Sequence, residues 1–199
     1  MFQIQAQAKQ IRAAIYTSAV SDIRYYLNGI CLEATEERTI TVGCDGKILS
    51  VMTFTPDTPN SIITLIVPLD IVKHLTKKHD VVTFTGDDKN NWKMETTDKN
   101  CNRISINFNG IEGKYPEWRR VVPSETKIKE TEPAMAQFRA ENLLAMEKCA
   151  KILGGGFIHL EQRGCDAARA SMTDYPDFVG VVMPVRAEKG NINPALTGT

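Results

Sequence analysis

Hydrophobic and polar positions along the chain repeat one arrangement: a short alternating stretch, an amphipathic helix, then more alternating stretches. Phe2-Gln-Ile-Gln leads into AQAKQIRAAIYTSA, where Ile11, Ala14 and Ile15 recur at helical spacing. The apolar run Ile62 to Val67 passes through Pro68 into LDIVKHLTKK. Proline suits the first turn of a helix, where its missing N–H costs nothing. Ile71, Val72 and Leu75 are expected to form that helix's buried face, with Lys73, Lys77 and Lys78 outside it. Met135-Ala-Gln-Phe-Arg then precedes AENLLAMEKCAKIL, whose Leu143, Leu144, Met146 and Ile152 fit a buried stripe on a helix closed by Gly154 to Gly156.

The three starts fall near residues 2, 62 and 135. That spacing exceeds any standard solenoid repeat and fits a strand–helix–strands unit used three times. Further strands are expected at Ile30 to Leu32, Thr39 to Val42, Val81 to Thr85, Trp92 to Thr96, Ile104 to Phe108, Gly156 to Leu160 and Phe178 to Met183. Asp45-Gly46 reads as a type I′ hairpin turn. The charged, proline-bounded stretch PSETKIKETEP reads as a linker. The expected organisation is a two-unit domain over 1–123, a linker over 124–133, a single unit over 134–187 and a polar tail over 188–199. The fold class is α+β, with antiparallel sheets and helices on one face.

Composition narrows the function classes. Lys plus Arg and Asp plus Glu number 24 each, so the net charge is zero and a conventional high-affinity DNA binder is disfavoured. A ring with basic residues inside and acidic ones outside stays compatible with that balance. Cys31, Cys44, Cys101, Cys149 and Cys165 form no CxxC pair and lie far from His74, His79 and His159 in sequence, so they read as reduced thiols and no metal is expected. No run approaches the roughly 20 apolar residues of a membrane span. The N-terminus lacks signal-peptide character, which makes the cytosol the expected compartment and a membrane partner unexpected.

Catalytic constellations are missing from the sequence. It contains no GxxxxGK[ST], GxSxG, HExxH or strand-borne GxGxxG. The triple glycine at 154–156 closes a helix, where the dipole repels phosphate. Asp22 and Asp45 have no paired acid nearby. Neither an enzyme activity nor a cofactor is expected.

Three motifs give a more specific reading: DIRYYLNG at 22–29, TVGCDGKILSV at 41–51, and GIEGKYPEWRRVVP at 110–123. In this order and spacing they resemble the middle domain of the bacterial DNA polymerase III beta subunit, the DNA sliding clamp. VVMPVR at 181–186 is similar to that family's closing motif, and the preceding helix and GGFIHLEQ fit the second half of its third domain. The resemblance implies the DNA-clamp (processivity) fold, built of paired strand–helix–strands units, with a first domain absent. It implies a non-catalytic processivity factor.

The resemblance also implies a groove for linear peptides of polymerases and repair proteins. Its residues would be Leu27, Cys44, Gly46, Lys47, Ile48 and Leu49, flanked by Pro116, Arg120 and Val121 and closed by Val181, Val182, Met183, Pro184, Val185 and Arg186. Aliphatic and methionine side chains make an adaptable pocket for leucine and phenylalanine anchors; the alternative is that they are ordinary core. Cys44, Lys47 and Ile48 depart from the family's usual residues, and Ile48 is expected to make the pocket edge more apolar. Residues after 186 extend past the family's usual end and are expected either to lie across the groove or to hang in solvent.

Arg24, Tyr25 and Tyr26 match the family's DNA-facing loop, the alternative being that the tyrosines pack inward. Lys73, Lys77 and Lys148, with Lys9, Lys78 and Lys151, are candidates for weak, salt-dependent contacts to duplex DNA; helix lysines are otherwise simply solvated. An unpaired half-domain would expose sheet edge and apolar surface, so a homo-oligomer is expected, a tetramer if a ring forms. The competing expectation is a non-ring decoy that binds clamp partners without encircling DNA.

Overall fold

The computed structural model describes residues 1–125, 136–162 and 166–185. Much of the expected linker, all of the expected tail, Cys165 and Arg186 lie outside the described residues.

Unit 1 comprises β1 (Phe2–Gln7), α1 (Ala8–Ala14), β2 (Gly29–Thr35), β3 (Arg38–Cys44) and β4 (Ile48–Phe54). Unit 2 comprises β5 (Ile63–Pro68), α2 (Leu69–Val72), β6 (His79–Gly86), β7 (Asn91–Asp98) and β8 (Arg103–Asn109). Unit 3 comprises α3 (Ala140–Leu153), β9 (His159–Glu161), β10 (Ala168–Ser171) and β11 (Phe178–Val182). Alternation and β-branched content therefore produced a strand at each further expected stretch, longer than expected for β2, β3, β6, β7 and β8 and shorter for β9 and β11, while β10 is an additional strand.

Local chemistry sets the element ends. Gly154 adopts a left-handed conformation at φ 90 and caps α3, with its N–H and that of Gly155 returning to Lys151 and Ala150. This is the glycine stop signal at a helix C-terminus. α2 is one turn long, far shorter than LDIVKHLTKK promised. Its continuation is intercepted at Thr76, whose backbone N–H donates to His79 Nδ1 at 2.9 Å while its carbonyl accepts from the His79 N–H. Side-chain bonds of this kind compete with helix propagation. Val72 and Leu75 are buried as expected, and Ile71 is half-buried.

The strands form two antiparallel sheets, in the orders β1-β6-β7-β8 and β5-β2-β3-β4-β11-β10-β9. Units 1 and 2 exchange first strands: β1 pairs with β6, and β5 pairs with β2. Unit 3 joins unit 1 edge to edge, Phe178 to Val182 running opposite Met52 to Ile48. Asn60, 5% exposed, ties the sheets together. Its carbonyl accepts from the Gln5 N–H at 2.8 Å, and its amide donates to Thr39 Oγ1 at 2.8 Å.

Period-2 alternation divides the seven-stranded sheet into two buried faces. Ile30, Leu32, Ile48, Met52 and Val182 join Ile11, Met146, Cys149 and Leu153 in the core beneath the helices. Cys31, Ile40, Val42, Leu49, Val51 and Val181 form a second core on the other face, with Leu27, Ile66 and Tyr115. Burial on both faces explains why β2, β3 and β4 are nearly continuously buried while β8 alternates.

α3 does not bury the expected stripe. Met146 is buried, but Asn142, Cys149, Ala150 and Leu153 complete the inward face, while Leu143 and Leu144 are exposed. Side-chain length thus does not decide the buried face, since Leu153 is buried and Leu143 and Leu144 are not.

Candidate functional site

The second core lies beneath three loops that converge from distant parts of the chain, and the sequence-predicted groove residues gather around it. Leu27 ends a 3-10 turn at Tyr25–Leu27, packed on the sheet through Ala19 N–H to Leu27 O at 3.2 Å. The β3–β4 connection supplies Cys44 to Leu49. Residues 115 to 122 cross the same face, with Tyr115 buried and Trp118 and Val122 packed beside it.

The β3–β4 turn is not type I′: of the expected central pair Asp45 and Gly46, only Gly46 has positive φ, at 88. Asp45 organises it instead: its Oδ1 accepts from the N–H of Lys47 at 2.7 Å and of Ile48 at 2.8 Å. A carboxylate bound to two backbone amides holds a turn that a two-residue hairpin signal does not predict. The Gly46 N–H donates to Cys44 Sγ at 3.3 Å, and burial pushes the Cys44 thiol up, which keeps it neutral beside the apolar core.

Arg24 links two of the loops. Its Nε and Nη2 donate to Asp22 Oδ1 and Oδ2 at 3.0 and 2.8 Å, and Nη2 also donates to the Asp45 carbonyl at 3.0 Å. The guanidinium hydrogen bonds hold the Asp22 carboxyl down at about 2, from an ordinary 3.8. A cation so engaged braces the turn. Tyr25 is 57% exposed and meets Tyr26 edge to face at 5.7 Å, while Tyr26 packs against the second core. The two tyrosines thus divide between the two sequence expectations, one outward and one inward.

The remaining segment arrives through β11. Leu49 lies opposite Val181, and beyond the strand the Met183 N–H donates to the Lys47 carbonyl at 2.8 Å. Val185 is held by its N–H to Gln137 O at 2.7 Å. Leu27, Leu49 and Val181 are each 2% exposed or less and form the floor. Above the floor, Gly46, Lys47, Arg120, Val121 and Met183 are exposed, and Cys44, Pro116, Pro184 and Val185 are half-buried.

Two expected groove residues face elsewhere. Ile48 and Val182 lie opposite each other on the sheet face turned to the helices, within the first core. Since neighbours along a strand point to opposite faces, they cannot share a wall with Leu49 and Val181. Ile48 therefore does not make the pocket edge more apolar.

The residues that pin the 115–122 segment are not among the expected groove residues. Trp118 Nε1 donates to Glu33 Oε1 at 2.8 Å, Arg119 pairs with Glu33 Oε2 at 2.6 Å, and the Arg119 guanidinium lies 4.0 Å from the Trp118 ring centroid. A Glu in an otherwise apolar β2 was the available signal. A cavity of about 610 Å³ lies elsewhere, against β5 and lined by Phe2, Ile63, Leu65, Trp92 and Ile111.

The basic candidates differ in their immediate surroundings. Lys73 and Lys77 are exposed around the end of α2, and Lys148 Nζ stands 5.7 Å over the Tyr16 ring. Lys9 stands 4.8 Å over the Tyr175 ring, and Lys151 is paired with Glu147. Among the described residues, no group of His, Cys, Asp and Glu is placed to hold a metal ion, and no helix is long and apolar enough to cross a membrane.

No protein-family model matches the chain. Two curated relatives are beta sliding clamps. That of Buchnera aphidicola is 29% identical over 119 residues, covering 57% of this chain and 31% of the relative. That of Haemophilus influenzae is 27% identical over 147 residues, covering 71% and 39%. The matches thus span about a third of the curated relatives' length. Among solved structures, the DNA polymerase sliding clamp of Pseudomonas aeruginosa superposes with a TM-score of 0.70 at 18% identity, covering 94% of this chain and 66% of that one. A Pseudomonas aeruginosa clamp bound to griselimycin gives 0.66 at 16% identity, covering 93% and 65%. The chain thus has the DNA-clamp fold and is similar to the bacterial beta sliding clamp, the beta subunit of DNA polymerase III, over part of that protein's length.

Proposed function

We propose that this chain is a non-catalytic clamp-like accessory factor of DNA replication or repair that captures short linear peptides of polymerases and repair proteins. One observation carries the reading. The turn at 24–27, the hairpin at 44–49, the segment at 116–121 and the strand end at 181–185 meet over a single apolar floor of Leu27, Leu49 and Val181. Exposed Val121, and exposed Met183 hydrogen-bonded to Lys47 next to Gly46, offer apolar side chains and accessible backbone, which suits an extended peptide with aliphatic or aromatic anchors. The clamp solved with griselimycin supports a ligand site on this fold.

Fluorescence-anisotropy titration with a labelled clamp-binding peptide tests this. Saturable binding is expected, weakened about tenfold or more by Val121→Asp or Met183→Asp, because either places a charge where an anchor is buried. Both positions are exposed, so the fold is unaffected. Absence of measurable affinity refutes the reading.

Encirclement of duplex DNA by a homo-oligomer, a tetramer if three units per chain complete twelve, extends this proposal. Arg24, Tyr25, Lys73, Lys77 and Lys148 are its candidate contacts, and retention on circular but not linearised DNA is its test. The second reading, a decoy that holds clamp partners without a ring, is favoured by the exposed side of α3. There Leu143 and Leu144 stand beside Lys148, and Lys151 is neutralised by Glu147. A wall facing phosphates is expected to be more basic.

A further inference from the structure

The way units 1 and 2 complete each other shows what unit 3 lacks. Neither keeps its own first strand, β1 joining unit 2 and β5 joining unit 1. The register repeats: Gln7, next to α1, lies opposite Val81 near the start of β6, and Pro68, next to α2, lies opposite Gly29 at the start of β2. β9 follows α3 as β2 follows α1, yet among the described residues β9 is the terminal strand of its sheet and receives no first strand. Residues 136–139, which precede α3, belong to no strand and make one isolated bridge, Gln137 to Val185.

Apolar exposure marks the same unit. Among the described α-helices and strands, every exposed large hydrophobic side chain belongs to unit 3: Leu143 at 37%, Leu144 at 51% and Leu160 at 43%. Phe157, just before β9, is 78% exposed. An amphipathic helix normally turns polar residues to water, and an open strand edge is normally covered or charged. Other long edges of these sheets are covered. The outer edge of β1 takes the Ser61 N–H at Gln3 O and gives the Gln5 N–H to Asn60, and β5 takes the Ile111 N–H at Ile66 O. β8 is also terminal, but its apolar side chains Ile104, Ile106 and Phe108 are half-buried and its exposed ones are polar.

We propose that unit 3 docks on unit 3 of a second copy of this chain about a two-fold axis. Each copy lays residues 136–139 along the β9 edge of the other, as units 1 and 2 do within one chain. A second copy is the fitting occupant because each copy holds one donor segment and one open edge, so a two-fold pairing satisfies both at once. The exchange also covers Leu144 and Leu160. It rests on the fold and not on peptide capture, so a chain that binds no clamp peptide still dimerises, and the two proposals fail separately.

Sedimentation velocity of the full chain across micromolar concentrations is the experiment. A dimer that dissociates on dilution is expected. Leu144→Asp combined with Leu160→Asp is expected to weaken it at least about a hundredfold, since two anchors become charged on each copy. The circular dichroism spectrum stays unchanged because both side chains are exposed in the single chain. Ser105→Asp with Asn107→Asp, exposed on β8, is expected to leave the dimer intact. A chain that is monomeric at every concentration overturns the proposal. So does a dimer that survives the unit 3 pair, or one abolished by the β8 pair.

Discussion

Gly43→Ala tests the packing that carries the hairpin of the candidate groove. Gly43 lies on β3 where the end of α1 presses on the sheet, and an added Cβ would stand 2.4 Å from the Ala14 carbonyl oxygen and 2.5 Å from Thr17 Oγ1. The first neighbour is backbone and has no rotamer to give way. The contact also holds a buried hydrogen bond of 2.6 Å between Thr17 Oγ1 and Ser50 Oγ. Overpacking of this kind costs about 1–3 kcal/mol, and loss of the hydroxyl pair about 1 kcal/mol more. Replacing glycine in a strand returns about 0.5 kcal/mol through backbone entropy. The net loss is about 2–3 kcal/mol, a drop in Tm of about 4–12 °C for a chain of this size. Urea titration and thermal melting measure it, and peptide titration should show weaker capture, because Cys44 is the next residue in the strand. A loss below about 0.5 kcal/mol would show that α1 lifts freely from the sheet and refute the close-approach argument.

Other predictions follow from single contacts. Asn60→Ala is expected to cost about 1–3 kcal/mol by depriving the Gln5 N–H of its acceptor and the Thr39 hydroxyl oxygen of its donor, read as a lowered urea midpoint with unchanged m value. The Asp22 carboxyl, depressed in the fold, supports the Asp22–Arg24–Asp45 brace at all pH above its ordinary 3.8, and that support is lost as pH falls through about 2. Carbon-13 NMR of the side chain is expected to give a midpoint near 2, and Arg24→Gln to move it up toward the ordinary carboxylate range. In a native thiol-labelling experiment resolved by peptide mass spectrometry, exposed Cys101 reacts first among the described cysteines. Buried Cys149, whose thiol burial pushes up to about 12, and buried Cys31, also raised by burial, react only on unfolding.

Local sequence settled what local physics controls. Alternation and helical spacing placed two strand–helix–strands units and the helix and strands of a third, whose expected first strand is not a strand among the described residues, and glycine at 154 stopped α3 where the pattern ended. The motifs around residues 22, 44, 116 and 181 identified the segments that meet at the candidate site, because each is a short run whose turns are set by its own residues. The length of α2 was less legible, since Thr76 and His79 compete for its backbone through side-chain bonds that a hydrophobic pattern does not register.

Tertiary structure alone decided which strand pairs with which. Backbone hydrogen bonds along an edge are nearly blind to side-chain identity, so nothing in β1 or β5 announces that each leaves its own unit for the other. Sheet pairing also decided which face each residue takes, sending Leu49 and Val181 to the groove floor and Ile48 and Val182 to the opposite core. For the same reason Leu143 and Leu144 of α3 read as core by spacing and are exposed in the fold: burial depends on what lies opposite, and what lies opposite is not written in the helix.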